Sequence, residues 1–364
     1  MSAAQSSLRS VSGPIAVVGA TGAVGRETLA ILASRHVPAE HVLALASPRS
    51  AGSRVPYGDG TVIVRELSEP LLHSARVAIF TATSDIARRL ARPAAGAGVV
   101  VIDNSSALRH EADVPLVVPE INAHELSAST RLVANPNCST ILLLMALEPL
   151  RRRWGVERID VSTYQAVSGA GAAGIDELLR LTRVSLEPAS ADEHHAPRVF
   201  HEPCAFNVFS HNSAVDVSSG LNAEEVKIIR ETRRIWNLPT LSIAPTCVRV
   251  PVIRAHAESV LVTLREPAAE ASVREAIAAF PGLRLVDDRA HNRFPTSRAA
   301  TGEDDVLVGR IRPDPSETID NPPGQAGFRR YQLFLAGDQI RKGAALNAVQ
   351  IAEKLIELGA ISRD

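Results

Sequence analysis

Asn135-Pro136-Asn137-Cys138-Ser139-Thr140 places a cysteine where a polar loop passes into an apolar run, Ile141 to Leu147. The apolar run reads as a helix, which puts Cys138 at its start. Backbone N–H groups at a helix start lack intrahelical partners and carry partial positive charge, so a sulfur there ionises more readily. A free cysteine more often serves as a small apolar filler. The Asn, Ser and Thr side chains around Cys138 argue for a nucleophile instead. A second group of residues suits phosphate. Gly19-Ala20-Thr21-Gly22-Ala23-Val24-Gly25 follows the β-rich run Ile15–Val18 and precedes a helix from Arg26 to Ser34. Glycines in a strand–turn–helix permit a tight turn and let a pyrophosphate reach the helix N-terminus. The spacing is G-x-x-G-x-x-G, less specific than G-x-G-x-x-G.

These residues need a frame. Short apolar runs at Ile15–Val18, Val42–Leu45, Val77–Phe80 and Val99–Ile102 alternate with helical stretches, Asp85–Ala94 among them, and the last run ends at Asp103. Such runs predict a Rossmann-type α/β domain whose parallel sheet is covered on both faces. From Ile159 the pattern changes. Strands are expected at Ile159–Val167, Thr246–Val252, Ser259–Leu264 and Leu283–Val286, and helices at Gly174–Val184 and Ala223–Trp236. This predicts a second, α+β domain with a mostly antiparallel sheet. Residues 188–220 and 313–327 read as extended or looped segments. An amphipathic helix spans Ala344–Leu358. The expected division is 12–138, completed by 343–364, against 139–342, with the Ser/Ala-rich start frayed.

Composition narrows the classes. At 364 residues and 45% apolar the chain can build two cores. A net charge of −1 with no long single-sign run argues against a nucleic-acid partner. Three scattered cysteines suit neither a disulfide framework nor a zinc cluster, and a reducing cytosol fits them. No apolar run reaches membrane-spanning length, and no metal is expected. The strand after the glycine turn ends Ala46-Ser47-Pro48-Arg49-Ser50, with no acid to hold a ribose 2′-hydroxyl. A guanidinium and two hydroxyls suit a 2′-phosphate, so NADP is favoured over NAD.

Further ordered segments accompany these: Asp103–Arg109, Val118–Asn122, Gln165–Gly171, Glu224–Lys227, Arg249–His256, Val308–Arg312 and Lys342–Gln350. Together with Gly19–Gly25, Arg49–Gly52 and Asn135–Thr140 they resemble the aspartate-β-semialdehyde dehydrogenases, nearly end to end. The resemblance implies reversible NADPH-dependent reduction of L-4-aspartyl phosphate to aspartate semialdehyde and phosphate, feeding lysine, methionine and threonine synthesis. It makes Cys138 the nucleophile that carries an aspartyl thioester, His256 the general acid/base, and Gln165 and Asn137 the groups that hold the intermediate. Arg249 would take the α-carboxylate, Glu224 the amino group, and Arg109 and Lys227 the phosphate. Cofactor contacts would come from Gly19, Thr21, Gly22, Ala23, Val24, Gly25, Ser47, Arg49, Ser50, Ser168, Gly169 and Gln339. A homodimer is implied too.

Thr81-Ala82-Thr83-Ser84, Gly337-Asp338-Gln339 and the Pro-Thr-Ser after Phe294 depart from the usual pattern. Read without the resemblance, Glu224 and Lys227 are a solvated helix start, with Asn222 and Glu225 forming a capping box. N-acetyl-γ-glutamyl-phosphate reductase shares the acyl-phosphate chemistry but usually has Gly-Cys-Tyr at the cysteine. A non-catalytic relative typically lacks the cysteine or histidine.

Overall fold

The structure is a computed structural model that describes residues 7–186, 196–318 and 327–362. Parts of both expected loop segments lie outside the described residues. The chain divides into two compact units, Met1–Asn137 with Gly343–Asp364, and Cys138–Lys342. Cys138 thus opens the second unit rather than closing the first.

The first unit is built on strands β1 (Ile15–Val18), β2 (Val42–Ala46), β3 (Arg54–Tyr57), β4 (Gly60–Ile63), β5 (Arg65–Glu66), β6 (Val77–Phe80), β7 (Val100–Asp103) and β8 (Leu132–Ala134). Six of them form a parallel sheet in the order β5-β2-β1-β6-β7-β8. β1, β6 and β7 are buried along their whole length, which is why they read as unbroken apolar runs. The chain leaves β1 toward β2 and later returns on the other side at β6. That reversal opens a crevice beyond the carboxyl ends of β1 and β6. β3 and β4 pair as a separate antiparallel hairpin. Their alternating exposure hid them from a search for continuous apolar runs.

The C-terminal helix Leu346–Glu357 packs into this core, as do Leu8 and Val11. Residues 7–11 are therefore held in place, against the frayed start expected from their composition. Two buried apolar side chains outweigh the polar residues around them, at roughly 1.5–3 kcal/mol each.

The second unit holds β9 (Val156–Gln165), β10 (Phe209–Ser210), β11 (Ser242–Arg249), β12 (His256–Ala268), β13 (Leu283–Leu285), β14 (Val306–Pro313) and β15 (Phe328–Gly337). Their order is β10-β11-β9-β12-β15-β14-β13. β9 with β11 and β13 with β14 are parallel, and the remaining neighbours are antiparallel. β10, β14 and β15 were not among the strands expected from the sequence. The helix Cys138–Trp154 lies against this sheet, with every residue from Ser139 to Leu150 buried. Arg151, Arg152 and Arg153 end it, where cations oppose the partial negative charge of the last carbonyls.

Candidate active site

Register places the reactive groups. In the parallel pair β9–β11, Gln165 stands opposite Arg249, and these are the last residues of their strands. β12 runs the other way on the far side of β9, so its first residue, His256, starts where β9 and β11 finish. The helix that begins at Cys138 packs on β9 and β12. Cys138 is partly exposed and close enough to Arg249 for the two charges to interact. Gln165, Arg249 and His256 are each at most 2% exposed.

His256 is held in one tautomer. Its Nδ1 lies 3.0 Å from the backbone nitrogen of Ala166, which always carries a proton, so Nδ1 accepts. In the neutral ring the proton then sits on Nε2, which is buried and has no partner among the described residues. Burial first, and then the Arg249 charge, pull the ring down to about 3, with Glu224 acting in the opposite sense. The residue before it, Ala255, has φ of 71°, a left-handed conformation that is uncommon outside glycine. Gln339 fixes it: its Oε1 accepts from the Ala255 N–H at 2.8 Å, and its Nε2 donates to Ser168 Oγ at 2.5 Å. Gln339 therefore ties the turn carrying Ser168 and Gly169 to the start of the histidine strand. A methyl group at Gly169 would sit 3.2 Å from Arg249 Nη1 and 3.6 Å from His256 Nε2, so these two groups face one small space.

Arg249 donates from Nη1 to the Ala166 carbonyl at 2.7 Å, while its buried Nε has no partner among the described residues. A buried, unsatisfied guanidinium N–H is costly, and a carboxylate is the group that suits it. Burial pulls this guanidinium below its ordinary value and Glu224 pushes it back. Glu224 and Lys227 share one face of the helix Ala223–Ile235 and form an ion pair at 2.9 Å. Glu224 is only 4% exposed, so this helix start is not the solvated one that its sequence alone suggests. The capping box is present: Asn222 accepts from the Glu225 N–H, and Glu225 accepts from the Asn222 N–H. Gln165 donates to Thr163 Oγ1 at 3.2 Å, inside its own strand.

The remaining expected residues belong to the first unit. Gly19 follows β1 with φ of 91°, and a side chain there would meet the Thr81–Ala82 backbone at 2.9 Å. Thr21 and Gly22 complete the turn, and Ala23, Val24 and Gly25 open the helix Ala23–Ser34. A Cβ on Gly25 would lie 2.2 Å from the Gly19 carbonyl oxygen, so only glycine lets this helix start close on the strand. The cradle thus fits a pyrophosphate set against a helix N-terminus. Gly25→Ala is expected to destabilise the protein by about 1–3 kcal/mol through overpacking and to weaken dinucleotide binding. Thermal melts with and without cofactor check this, and an unchanged melt would contradict it. Ser47, Arg49 and Ser50 sit on the short turn after β2, with Ser47 and Arg49 exposed. Arg109 is buried and donates to the carbonyls of Asn135 and Asn104 at 2.9 and 2.8 Å. Asn347 of the C-terminal helix donates to Asn135 Oδ1 at 2.7 Å, which braces the loop before the buried Asn137.

Two groups were missed from the sequence. His211 contacts Arg249 through Nε2. Glu258 lies two residues beyond His256 on the same strand, fully buried, with neither carboxylate oxygen partnered among the described residues. Burial pushes it well above its ordinary value of 4.5. The unfolded chain releases this proton above 4.5 and the folded chain keeps it. Glu258 therefore costs stability progressively as pH rises from 4.5 toward its folded value. Glu258→Gln keeps the shape and removes the charge. Its melting temperature is expected to gain on the parent by a few degrees between pH 5 and 8. Parallel curves across that range would refute the assignment.

Among the described residues, no helix is long and apolar enough to cross a membrane, and no His/Cys/Asp/Glu group could hold a metal. Comparison with known proteins adds two family matches: the semialdehyde dehydrogenase NAD binding domain over residues 14–129 and the semialdehyde dehydrogenase dimerisation domain over 147–342. A curated aspartate-semialdehyde dehydrogenase from Synechocystis is 43% identical over 95% of this chain and 98% of its own length. One from Bacillus subtilis is 38% identical over 95% and 98%. The crystal structure of aspartate semialdehyde dehydrogenase II from Vibrio cholerae, complexed with ASA, superposes with a TM-score of 0.85 at 40% identity, covering 95% of this chain and 98% of that one.

Proposed function

The chain belongs to the aspartate-semialdehyde dehydrogenase family, and from that premise we propose how its own residues carry the reaction. The activity is the reversible, phosphorylating interconversion of L-aspartate-4-semialdehyde and L-4-aspartyl phosphate, in lysine, methionine and threonine synthesis. The observation that carries this reading is one buried space faced by both His256 Nε2 and an Arg249 amine, with Cys138 within electrostatic reach of that arginine.

In the biosynthetic direction Cys138 Sγ attacks the acyl carbon. The C–S bond forms and the C–O bond to phosphate breaks, leaving a thioester. The nicotinamide supplies hydride when bound. The resulting thiohemiacetal then expels the Cys138 thiolate as the aldehyde leaves. Arg249 Nε–H binds the α-carboxylate, and Glu224 accepts from the α-amino group. Lys227 and Arg109 are assigned to phosphate, and Gln165 and Asn137 to the acyl group. His256 directs its Nε2–H at the oxygen on which negative charge develops. To take a proton at Nε2 as a base, the ring must first give up its contact with the Ala166 N–H.

Thr21, Gly22, Ala23, Val24 and the flanking Gly19 and Gly25 would hold the pyrophosphate. Arg49, Ser47 and Ser50 would hold the 2′-phosphate of NADP, with Ser168, Gly169 and Gln339 assigned to the nicotinamide end. The half-exposed face of the second unit's sheet, around Ser162, Thr246 and Ser259, is assigned to homodimer contacts, and the cytoplasm is the assigned compartment.

NADPH absorbance, followed with each component omitted in turn, tests the reaction. NADP+ should be reduced only when semialdehyde and phosphate are both present. Turnover without phosphate would sink the acyl-phosphate mechanism.

A further inference from the structure

The Arg249 guanidinium is held from outside its own strand. β10 pairs with the end of β11, with Phe209 opposite Arg249 and Ser210 opposite Val248, and the His211 N–H then donates to the Cys247 carbonyl at 2.9 Å. This register sets the next two side chains, His211 and Asn212, beside the arginine. Arg249 Nη2 donates to Asn212 Oδ1 at 2.8 Å and lies 2.9 Å from His211 Nε2. A guanidinium can only donate, so Nε2 accepts from it, while the Ser213 backbone N–H points at Nδ1 at 3.2 Å. Nδ1 also lies 3.1 Å from Ser213 Oγ, so Ser213 meets the ring with both its backbone and its hydroxyl. Ser213 Oγ lies 3.4 Å from Asn222 Oδ1, the cap of the helix Ala223–Ile235, and accepts from the Glu224 N–H at 3.2 Å. A relay of contacts thus runs from Arg249 through His211 and Ser213 to Asn222.

We propose that His211 is a positioning residue. With Ser213 it sets the Arg249 guanidinium at a fixed place relative to the helix start that carries Glu224. Arg249 and Glu224 must grip the carboxylate and amino groups of one small amino acid, which are attached to one carbon. Their spacing is therefore a specificity element, and the relay couples the two clamps directly. The neutral ring this needs is the one the structure favours. Burial pulls His211 down to about 4, Arg249, Lys227 and His201 also oppose a charge, and Glu224 alone favours one. A protonated ring would present a second donor to Arg249 and break the relay.

The inference rests on the assignment of Arg249 to the α-carboxylate. Steady-state kinetics on His211→Ala, His211→Gln and Ser213→Ala test it, with Arg249→Leu as the control for that assignment. His211→Ala should raise KM for the semialdehyde about tenfold, the loss of one hydrogen bond to a charged group, while kcat and the KM for phosphate stay within about twofold. Gln, whose amide oxygen can accept where Nε2 does and whose nitrogen can donate onward, should restore most of the loss. Ser213→Ala should show a smaller rise in the same constant. If His211→Ala melts early, the Gln and Ser213→Ala variants decide alone. A uniform change in all constants, or no change with Arg249→Leu impaired, overturns the role of His211. No effect of Arg249→Leu on semialdehyde KM overturns the carboxylate assignment instead.

Discussion

Replacing Cys138 with alanine should lower turnover by a factor on the order of 10⁴ or more while leaving the melting temperature almost unchanged. The sulfur is partly exposed at the first position of its helix, so its removal opens no core cavity. The stability of that helix comes from the buried residues that follow, Ser139 to Leu150. The chemistry of the proposed mechanism, in contrast, has no substitute. Without the sulfur no thioester forms, and hydride would have to be delivered to an acyl phosphate that nothing holds covalently. Enzymes that lose their covalent nucleophile typically fall by factors on the order of 10⁴–10⁶, keeping only the contribution of binding and oxyanion contacts. The positive end of the helix and the nearby Arg249 charge stabilise a negative sulfur. Cys138→Ser, whose hydroxyl ionises far less readily, should therefore be nearly as inactive as alanine. Intact-protein mass after brief exposure to aspartyl phosphate should show an aspartyl adduct on the parent and none on either variant. Retention of more than about one percent of kcat by the alanine variant, well above what these losses allow, would dispose of the thioester pathway.

What was legible in the sequence follows from how locally each feature is determined. The first unit's parallel sheet showed itself because strands buried on both faces must be apolar throughout, as β1, β6 and β7 are. The capping box at Asn222 and Glu225 was legible for the same reason, since both partners lie within one helical turn. β14 and β15 were not, because their pairing is settled by partners distant in the chain. His211 was visible only as one polar residue in a segment that read as extended. What distinguishes it is the cross-strand register with β11, a contact between residues 38 apart. Glu258 stands just before the strand expected at Ser259–Leu264, and only its complete burial shows that its carboxyl is pushed well above the ordinary range. The burial of Leu8 and Val11 likewise depends on the C-terminal helix, which lies at the other end of the chain.

His256→Ala should reduce kcat by roughly 10²–10³, the usual consequence of removing one donor to a developing oxyanion. His256→Asn, which can still offer an amide N–H, should recover part of it. Ala166 sets the state of the ring. Because its N–H occupies Nδ1, a doubly protonated ring would set two donors against each other in a site where the ring is completely buried. Burial and Arg249 act in the same sense, which accounts for a value of about 3. In the proposed mechanism the ring thus stays neutral across the working range and acts first as a hydrogen-bond donor, as neutral histidines do in other enzymes that polarise a carbonyl. Two consequences separate this from a histidine that shuttles a proton near neutral pH. The pH profile of kcat should show no inflection near 6.5 that disappears in His256→Asn. Stability should also fall with acid, since the unfolded ring gains its proton near 6.5 and the folded one only near 3. That loss begins as pH drops through 6.5 and is absent from the Asn variant. Nitrogen chemical shifts of the ring at pH 7 decide the tautomer directly: a protonated Nε2 beside an unprotonated Nδ1 is expected. An imidazolium signal there, or equal activity of the Ala and Asn variants, would remove the donor role.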